Sequence, residues 1–215
     1  MDEPKFLLEV PEGVTDKVVV FLPGITGGAL TGRFQLLVDV CLRSHIAIAR
    51  VNLWKDAKDV AGKTLNDLHT GLDEIISLLR SKGYISICII GKSFGATVLL
   101  TSPSLDVAKI ALWSPAITVV DFGNNINEWM TKPLSALSSV LSITVDKKYL
   151  ERKQTNTLII HGTGDDKVPF SNSEKMATYL PNVHLVAING ADHSYSDKNH
   201  ELVVVTTSIN FFNKE

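Results

Sequence analysis

The hydrophobic positions along the chain follow two alternating patterns. Short runs that are almost wholly apolar predict strands buried on both faces of a parallel sheet. They lie at residues 17–22, 45–53, 86–90, 107–113, 157–161 and 184–188. Between these runs, apolar residues recur every three or four positions, which indicates helices with one buried face. The alternation predicts an α/β fold: a mostly parallel, doubly wound sheet with helices on both faces.

The boundaries of several elements can be predicted from local signals. An apolar stripe from Leu68 to Leu79 follows a Thr64–Asp67 capping box, so we expect a helix there. Ser171–Glu174 is expected to open a further helix that Pro181 closes. Residues 6–10 predict a short strand, and the polar residues 54–63 predict a loop.

The C-terminal segment, residues 196–212, carries two conflicting signals. Its β-branched run at residues 203–207 favours a strand, whereas the spacing of Leu202, Val205 and Ile209 favours a helix. We predict a helix.

One insertion, residues 114–154, interrupts the alternation of strands and helices. The spacing of Leu134, Leu137, Val140 and Leu141 predicts a short amphipathic helix within it. Ligands of open parallel sheets bind beyond the carboxyl ends of the strands, and the insertion follows such an end. It is therefore either a minimal lid or a helix that only covers the sheet. Residues 1–215 are expected to form one domain around this insertion.

Composition limits the partners and the location that we expect. A formal net charge of −2 gives no reason to expect nucleic acid or an anionic membrane surface. No apolar run approaches the roughly 18 residues that span a bilayer, and the N-terminus lacks the features of a signal peptide. Cys41 and Cys88 fall in a predicted helix and a predicted strand, which favours two reduced, buried thiols in a cytoplasmic protein.

The first candidate for chemistry is Ser93, in the sequence Gly91-Lys-Ser-Phe-Gly95. An apolar strand precedes it and small residues that suit a helix follow. A serine at the apex of such a tight turn holds its hydroxyl above the sheet edge, and the glycines avoid collisions with neighbouring backbone. The alternative of a phosphate-binding loop is rejected, because Ser86 stands where that loop needs glycine and the intervening residues are strand-like.

Two motifs downstream supply the partners that a serine nucleophile needs. His161-Gly-Thr-Gly-Asp165 continues to Pro169, and Gly190-Ala-Asp-His193 follows the last predicted strand. Both begin at the carboxyl end of a strand. With Gly-x-Ser-x-Gly, these motifs make the chain resemble the α/β-hydrolase superfamily along nearly its whole length, in particular small esterases and serine-peptidase-like members with little or no cap.

The resemblance implies roles for individual residues. Ser93 would be the nucleophile, Asp165 the orienting acid and His193 the general base. The adjacent Asp166 stays open as an alternative acid, and His161 is expected to be structural.

The resemblance also implies an oxyanion hole, formed by the backbone N–H groups of Phe94 and Ile25. Pro23-Gly24 stands where the family usually has His-Gly, but the expected donor is a backbone group, so this difference does not remove it. Trp129 and Met130 are candidates for the rim of the substrate site. No metal-ligand motif is present, so neither a metal nor another cofactor is expected.

The chemistry that the resemblance implies is acyl transfer to water from a small-molecule acyl substrate. A serine nucleophile argues against dehalogenases and epoxide hydrolases, which use aspartate at the same elbow. We expect a carboxylic ester hydrolase for short to medium acyl chains. The alternatives are a small peptidase, a thioesterase, a carbon–carbon bond hydrolase, or a non-catalytic binding module on the same fold.

Overall fold

The computed structural model describes residues 5–103, 105–120, 130–135 and 143–214. Its strands are β1 (Phe6–Glu9), β2 (Lys17–Leu22), β3 (Ala47–Val51), β4 (Ser86–Lys92), β5 (Lys109–Trp113), β6 (Ile117–Val120), β7 (Ile143–Asp146), β8 (Asn156–Gly162) and β9 (Val183–Ile188). Seven of them form one sheet in the order β1-β3-β2-β4-β5-β8-β9. Only the edge pair β1–β3 is antiparallel within this sheet.

The helices of the described residues cover both faces of this sheet. They are α1 (Gln35–Arg43), α2 (Ala57–Ala61), α3 (Leu65–Ser81), α4 (Phe94–Thr101), α5 (Lys147–Leu150), α6 (Phe170–Ala177) and α7 (Lys198–Asn213). A 3₁₀ turn, Gly32–Phe34, leads into α1. The predicted fold class, a doubly wound and mostly parallel α/β sheet, is confirmed.

Strand β2 shows why the central strands are almost continuously apolar. Val18, Val20 and Leu22 point into the core cluster that includes α3 and α4, whereas Val19 and Phe21 point into the cluster that includes α1 and α7. Each residue of such a strand faces one of two apolar layers, so no position along it favours a polar side chain.

Most predicted elements are present, and two local predictions are wrong. The helical reading of the C-terminus is confirmed as α7, and the Thr64–Asp67 capping box opens α3. The predicted loop 54–63 contains the short helix α2, because the Asp56 side chain accepts a hydrogen bond from the Asp59 backbone N–H (2.9 Å) and caps it. Helix α6 begins at Phe170 without a side-chain cap and ends at Ala177, so neither Ser171 nor Pro181 sets its bounds.

The insertion contains strands that the sequence pattern did not predict. β6 and β7 pair in parallel as a separate two-stranded sheet. Leu134, which lies between β6 and β7 in the sequence, is fully buried. The other residues of the predicted amphipathic helix, Leu137, Val140 and Leu141, lie outside the described residues.

Both cysteines are buried and free, in α1 and β4 as expected. In the part of the chain that the structure describes, no helix has both the length and the hydrophobicity needed to cross a membrane.

Candidate active site

The loop that joins β4 to α4 holds Ser93 in an unusual backbone conformation. Its φ of 51° and ψ of −111° lie in a region that non-glycine residues rarely adopt. A β-carbon at Gly91 would lie 2.7 Å from the Cα of Ala96, and one at Gly95 would lie 2.5 Å from the carbonyl oxygen of Leu22. Both positions therefore require glycine, as predicted, because a β-carbon at either one would collide with neighbouring backbone atoms.

The structure brings Ser93, His193 and Asp165 into one hydrogen-bonded chain. Ser93 Oγ lies 3.1 Å from His193 Nε2, and His193 Nδ1 lies 2.7 Å from Asp165 Oδ2. The three side chains follow β4, β8 and β9, whose carboxyl ends meet at the same edge of the sheet. The Asp165 side chain is fully buried, and that of His193 is 17% exposed, facing the solvent side of the site.

Four hydrogen bonds saturate the carboxylate of Asp165. Its Oδ1 accepts the backbone N–H groups of Lys167 (2.9 Å) and Val168 (2.8 Å), and its Oδ2 faces His161 Nε2 (3.0 Å) as well as His193. Burial opposes ionisation of Asp165, but these bonds outweigh it and hold the pKa of the carboxyl well below its usual range. Asp165 is therefore ionised at neutral pH.

An ionised Asp165 determines the tautomer of both histidines. Since the carboxylate only accepts hydrogen bonds, His193 carries its proton on Nδ1 and presents the lone pair of Nε2 to the hydroxyl of Ser93. His161 Nε2 lies 3.0 Å from both Asp165 Oδ2 and the carbonyl of Val168, so this nitrogen donates. His161 Nδ1 then accepts from the hydroxyl of Ser173 at 2.6 Å. The structural role expected for His161 thus takes the form of a direct hydrogen bond to the acid.

Asp166, the alternative acid, points away from the site. Its side chain is 69% exposed and forms a surface ion pair with Lys167 Nζ at 3.0 Å. Of these two aspartates, only Asp165 forms hydrogen bonds with His161 and His193.

The two segments predicted to supply backbone N–H donors, Phe94 and the loop of Gly24 and Ile25, both adjoin Ser93. Phe94 is the first residue of α4, so its N–H has no partner within the helix. The loop of Gly24 and Ile25 runs directly beside the serine: a β-carbon at Gly24 would lie 3.6 Å from Ser93 Cβ. The indole N–H of Trp54 donates to the carbonyl of Gly24 (2.9 Å) and fixes that loop.

Lys92 is a site residue that sequence reasoning missed. It is 5% exposed, and its ammonium donates to the backbone carbonyl of His193 (2.8 Å) while lying 5.7 Å from the ring centre of Tyr195. Burial first, and then the nearby charge of Arg33, lowers its pKa to about 8. Its position before the nucleophile was the only signal in the sequence.

A cavity of about 410 Å³ opens in front of Ser93. Its apolar wall includes Ile25, Phe94, Leu134, Ile143 and Val168, and its polar wall includes Arg33 and Lys92. A second cavity of about 240 Å³ adjoins it across Arg33, Phe34, Lys92 and Ser194.

The two rim candidates have different outcomes. Trp129 lies outside the described residues. Met130 is half-buried against the core and is not among the described residues that line the cavity, whereas Leu134 of the same segment does line it. The described residues also contain no group of three or more His, Cys, Asp or Glu side chains that could hold a metal ion.

Several solved structures share this fold. Est1E from Butyrivibrio proteoclasticus, determined with ferulic acid bound, shares 18% identity over 97% of this chain and 95% of its own (TM-score 0.74). The esterase EaEST from Exiguobacterium antarcticum shares 15% identity over 97% and 95% (TM-score 0.74). A dienelactone hydrolase from Anabaena variabilis shares 16% over 96% and 89% (TM-score 0.71). No curated protein is significantly similar in sequence.

The fold and the family together define a serine hydrolase of the α/β-hydrolase superfamily. More narrowly, the chain belongs to the prolyl oligopeptidase family, whose sequence profile matches residues 53–215. The matched region begins after β3 and includes Ser93, Asp165 and His193.

Proposed function

We propose that the protein is a carboxylic ester hydrolase that cleaves short to medium acyl esters through an acyl-enzyme on Ser93. The observation that carries this proposal is the hydrogen-bonded chain from Ser93 through His193 to Asp165, which opens into a cavity with a largely apolar wall. The substrate would be a small molecule, with its acyl chain on the wall formed by Leu134 and Ile143.

In the first step, Ser93 Oγ attacks the ester carbonyl and its proton passes to His193 Nε2, 3.1 Å away. The positive imidazolium that forms is stabilised by the buried carboxylate of Asp165. The C–O bond to the leaving alcohol then breaks, and the alcohol takes the proton from His193. The product of this step is an ester of Ser93.

In the second step, His193 removes a proton from water, which attacks the acyl-enzyme carbonyl. Collapse of the tetrahedral intermediate releases the carboxylic acid, and the proton returns to Ser93 Oγ. In both steps the developing oxyanion would be bound by the backbone N–H groups of Phe94 and Ile25. Backbone donors suit this task because they are held in place by the fold and need not reorganise as the charge develops.

The size of the site supports short acyl chains. The cavity is about 410 Å³, and residues of the insertion, Ala116, Leu134 and Ile143, contribute to its lining. We further propose that residues 114–154 act as a minimal lid over this cavity, since Leu134 and Ile143 belong to that segment.

Labelling tests the nucleophile. A fluorophosphonate probe should form a covalent adduct on Ser93, identified by peptide mass spectrometry, and Ser93→Ala should abolish it. Ser114→Ala is a matched control, because Ser114 also has a positive φ (44°) but is fully buried and bonded to Tyr195. Labelling that survives in Ser93→Ala would refute the proposed mechanism.

A peptidase is the second candidate, favoured by the family to which the chain belongs. The same two steps would cleave an amide, with an amine as the leaving group. Aminoacyl 4-nitroanilides measured beside the 4-nitrophenyl esters decide between them: a higher kcat/KM for the anilides would favour a peptidase. A cytoplasmic location is also proposed, supported by the two buried free thiols.

A further inference from the structure

We propose that the natural ester carries a carboxylate, which binds at the wall formed by Arg33 and Lys92. This inference rests on the ester hydrolysis proposed above and names its substrate class. The group would occupy the part of the larger cavity that these two cations line, while the apolar lining residues accept the aliphatic part of the substrate.

The charged side chains around the larger cavity have one sign. The described residues that line it include Arg33, Lys92 and Lys167, and no aspartate or glutamate is among them. Lys167 is compensated by its ion pair with Asp166 at 3.0 Å. Arg33 is solvent-exposed where it lines the cavity, and among the described residues no carboxylate lies within ion-pair distance of its guanidinium.

Lys92 retains hydrogen-bonding capacity toward the same space. An ammonium has three N–H donors, and within the described chain its one hydrogen-bond acceptor is the carbonyl of His193. The repulsion between Lys92 and Arg33 is strong enough to contribute to the lowered pKa of Lys92. Two cations that share one wall without a counterion are unfavourable, and a bound anion would relieve this repulsion.

The charge balance favours a monoanion such as a carboxylate over a phosphate dianion. Asp165 and Asp192 lie near enough to Lys92 to offset part of its charge. The net positive charge on this wall is therefore smaller than that of two free cations, which suits a monoanion better than a dianion. Glu201 lines only the second cavity, which places the anion in the first one, on the side of Ser93.

The loop that carries Arg33 is held in place by buried contacts. The guanidinium of Arg50 donates to the carbonyls of Ala29 (3.2 Å) and Thr31 (3.0 Å), and it forms an ion pair with Glu9 at 2.8 Å. The side chain of Arg50 is only 6% exposed. These contacts hold the backbone that directly precedes the 3₁₀ turn Gly32–Phe34, and Arg33 lies in this turn.

The test compares substrates that differ in one charge. On the acyl side, mono-4-nitrophenyl adipate is matched with 4-nitrophenyl hexanoate, which has the same six-carbon chain. On the alcohol side, 4-carboxyphenyl acetate is matched with 4-carbamoylphenyl acetate. In at least one pair the anionic ester should have a kcat/KM about tenfold higher, as expected for one charge-assisted contact, and the ratio should fall as salt is added. The pair that shows the preference identifies the side of the ester that carries the carboxylate.

The variant Arg33→Gln should reduce this ratio to near one. Arg43→Gln is its matched control, because it removes the same charge from an exposed position of α1 that does not line the cavity. The ratio should be retained in that variant. A ratio below about threefold in both pairs, or one that Arg33→Gln leaves unchanged, would overturn the inference.

Binding separates this inference from the proposed function. Ser93→Ala should bind monoethyl adipate about tenfold more tightly than ethyl hexanoate by calorimetry, and Arg33→Gln in the same background should remove the difference. Anion preference in binding without turnover of any ester would contradict ester hydrolysis and retain the anion site. Turnover without preference in rate or binding would contradict the anion site alone.

Discussion

Replacing Asp165 by asparagine exchanges one carboxylate oxygen for an NH₂ group in the hydrogen-bonded series Ser93–His193–Asp165. This exchange should nearly abolish turnover. The carboxylate accepts four hydrogen bonds, two at each oxygen. An asparagine has one oxygen, so one pair of donors must face its NH₂ group. The backbone N–H groups of Lys167 and Val168 cannot change, whereas an imidazole can move its proton. The amide oxygen should therefore stay at Oδ1, with the NH₂ group facing His161 and His193.

This orientation forces His193 into the wrong tautomer. Its Nδ1 must accept from the NH₂ group, so its proton moves to Nε2 and points at Ser93 Oγ. The serine then has no base. We expect kcat to fall by about 10³ to 10⁴, which corresponds to roughly 4–5.5 kcal/mol in activation free energy. The assay is hydrolysis of 4-nitrophenyl butyrate at pH 7.5, with circular dichroism to show that the variant is folded.

Asp166→Asn is the matched control for the same chemical change. Asp166 is 69% exposed, and its ion pair with Lys167 at the surface contributes little to stability. Its turnover should stay within about twofold of the wild type, since its side chain forms no hydrogen bond with Ser93, Asp165 or His193 and its partner Lys167 is a surface side chain. Equal losses in the two variants, or a larger loss in Asp166→Asn, would refute the assignment of Asp165 and the tautomer argument behind it.

Three further predictions concern stability and substrate size. First, the pKa of Lys92 is about 8 in the fold and near 10.5 when unfolded, so the unfolded state binds more protons between these values. Its contribution to the free energy of unfolding should rise by on the order of 3 kcal/mol from pH 8 to pH 10.5. The free energy of unfolding, measured in urea, should rise by this amount in the wild type relative to Lys92→Met. A difference between the two proteins that does not change with pH would contradict the prediction. Second, Gly95→Ala places a β-carbon 2.5 Å from the Leu22 carbonyl and should cost about 1–3 kcal/mol. Gly32→Ala, with no atom within 4 Å, should be close to neutral in thermal unfolding, and equal melting temperatures for both variants would argue against this packing. Third, kcat/KM on 4-nitrophenyl esters should rise about fourfold per methylene, from roughly 0.8 kcal/mol of buried apolar surface, until the cavity is filled. An increase that continues from acetate to palmitate would show a longer acyl tunnel.

The sequence alone predicted those features that depend on neighbours along the chain. The central strands are apolar at every position because both faces are covered, and this is visible without knowing what covers them. The elbow at Ser93 is visible because its pattern of serine and glycines lies within five residues, although the contact that requires Gly95 is with the distant carbonyl of Leu22. The order of Ser93, Asp165 and His193, each after a predicted strand, placed them at one edge of the sheet.

Other features depend on contacts between residues far apart in sequence, and only the tertiary structure decided them. Strands β6 and β7 pair across 22 intervening residues, and neither four-residue segment has a pattern that specifies its partner. Nothing in the sequence marks Lys92 as a buried residue, but in the structure it is 5% exposed and donates a hydrogen bond to the backbone carbonyl of His193. Asp165 and Asp166 are chemically identical in the sequence. The resemblance favoured Asp165, and the tertiary structure supplies the physical distinction, because it brings His193 to this buried carboxylate and leaves Asp166 solvated.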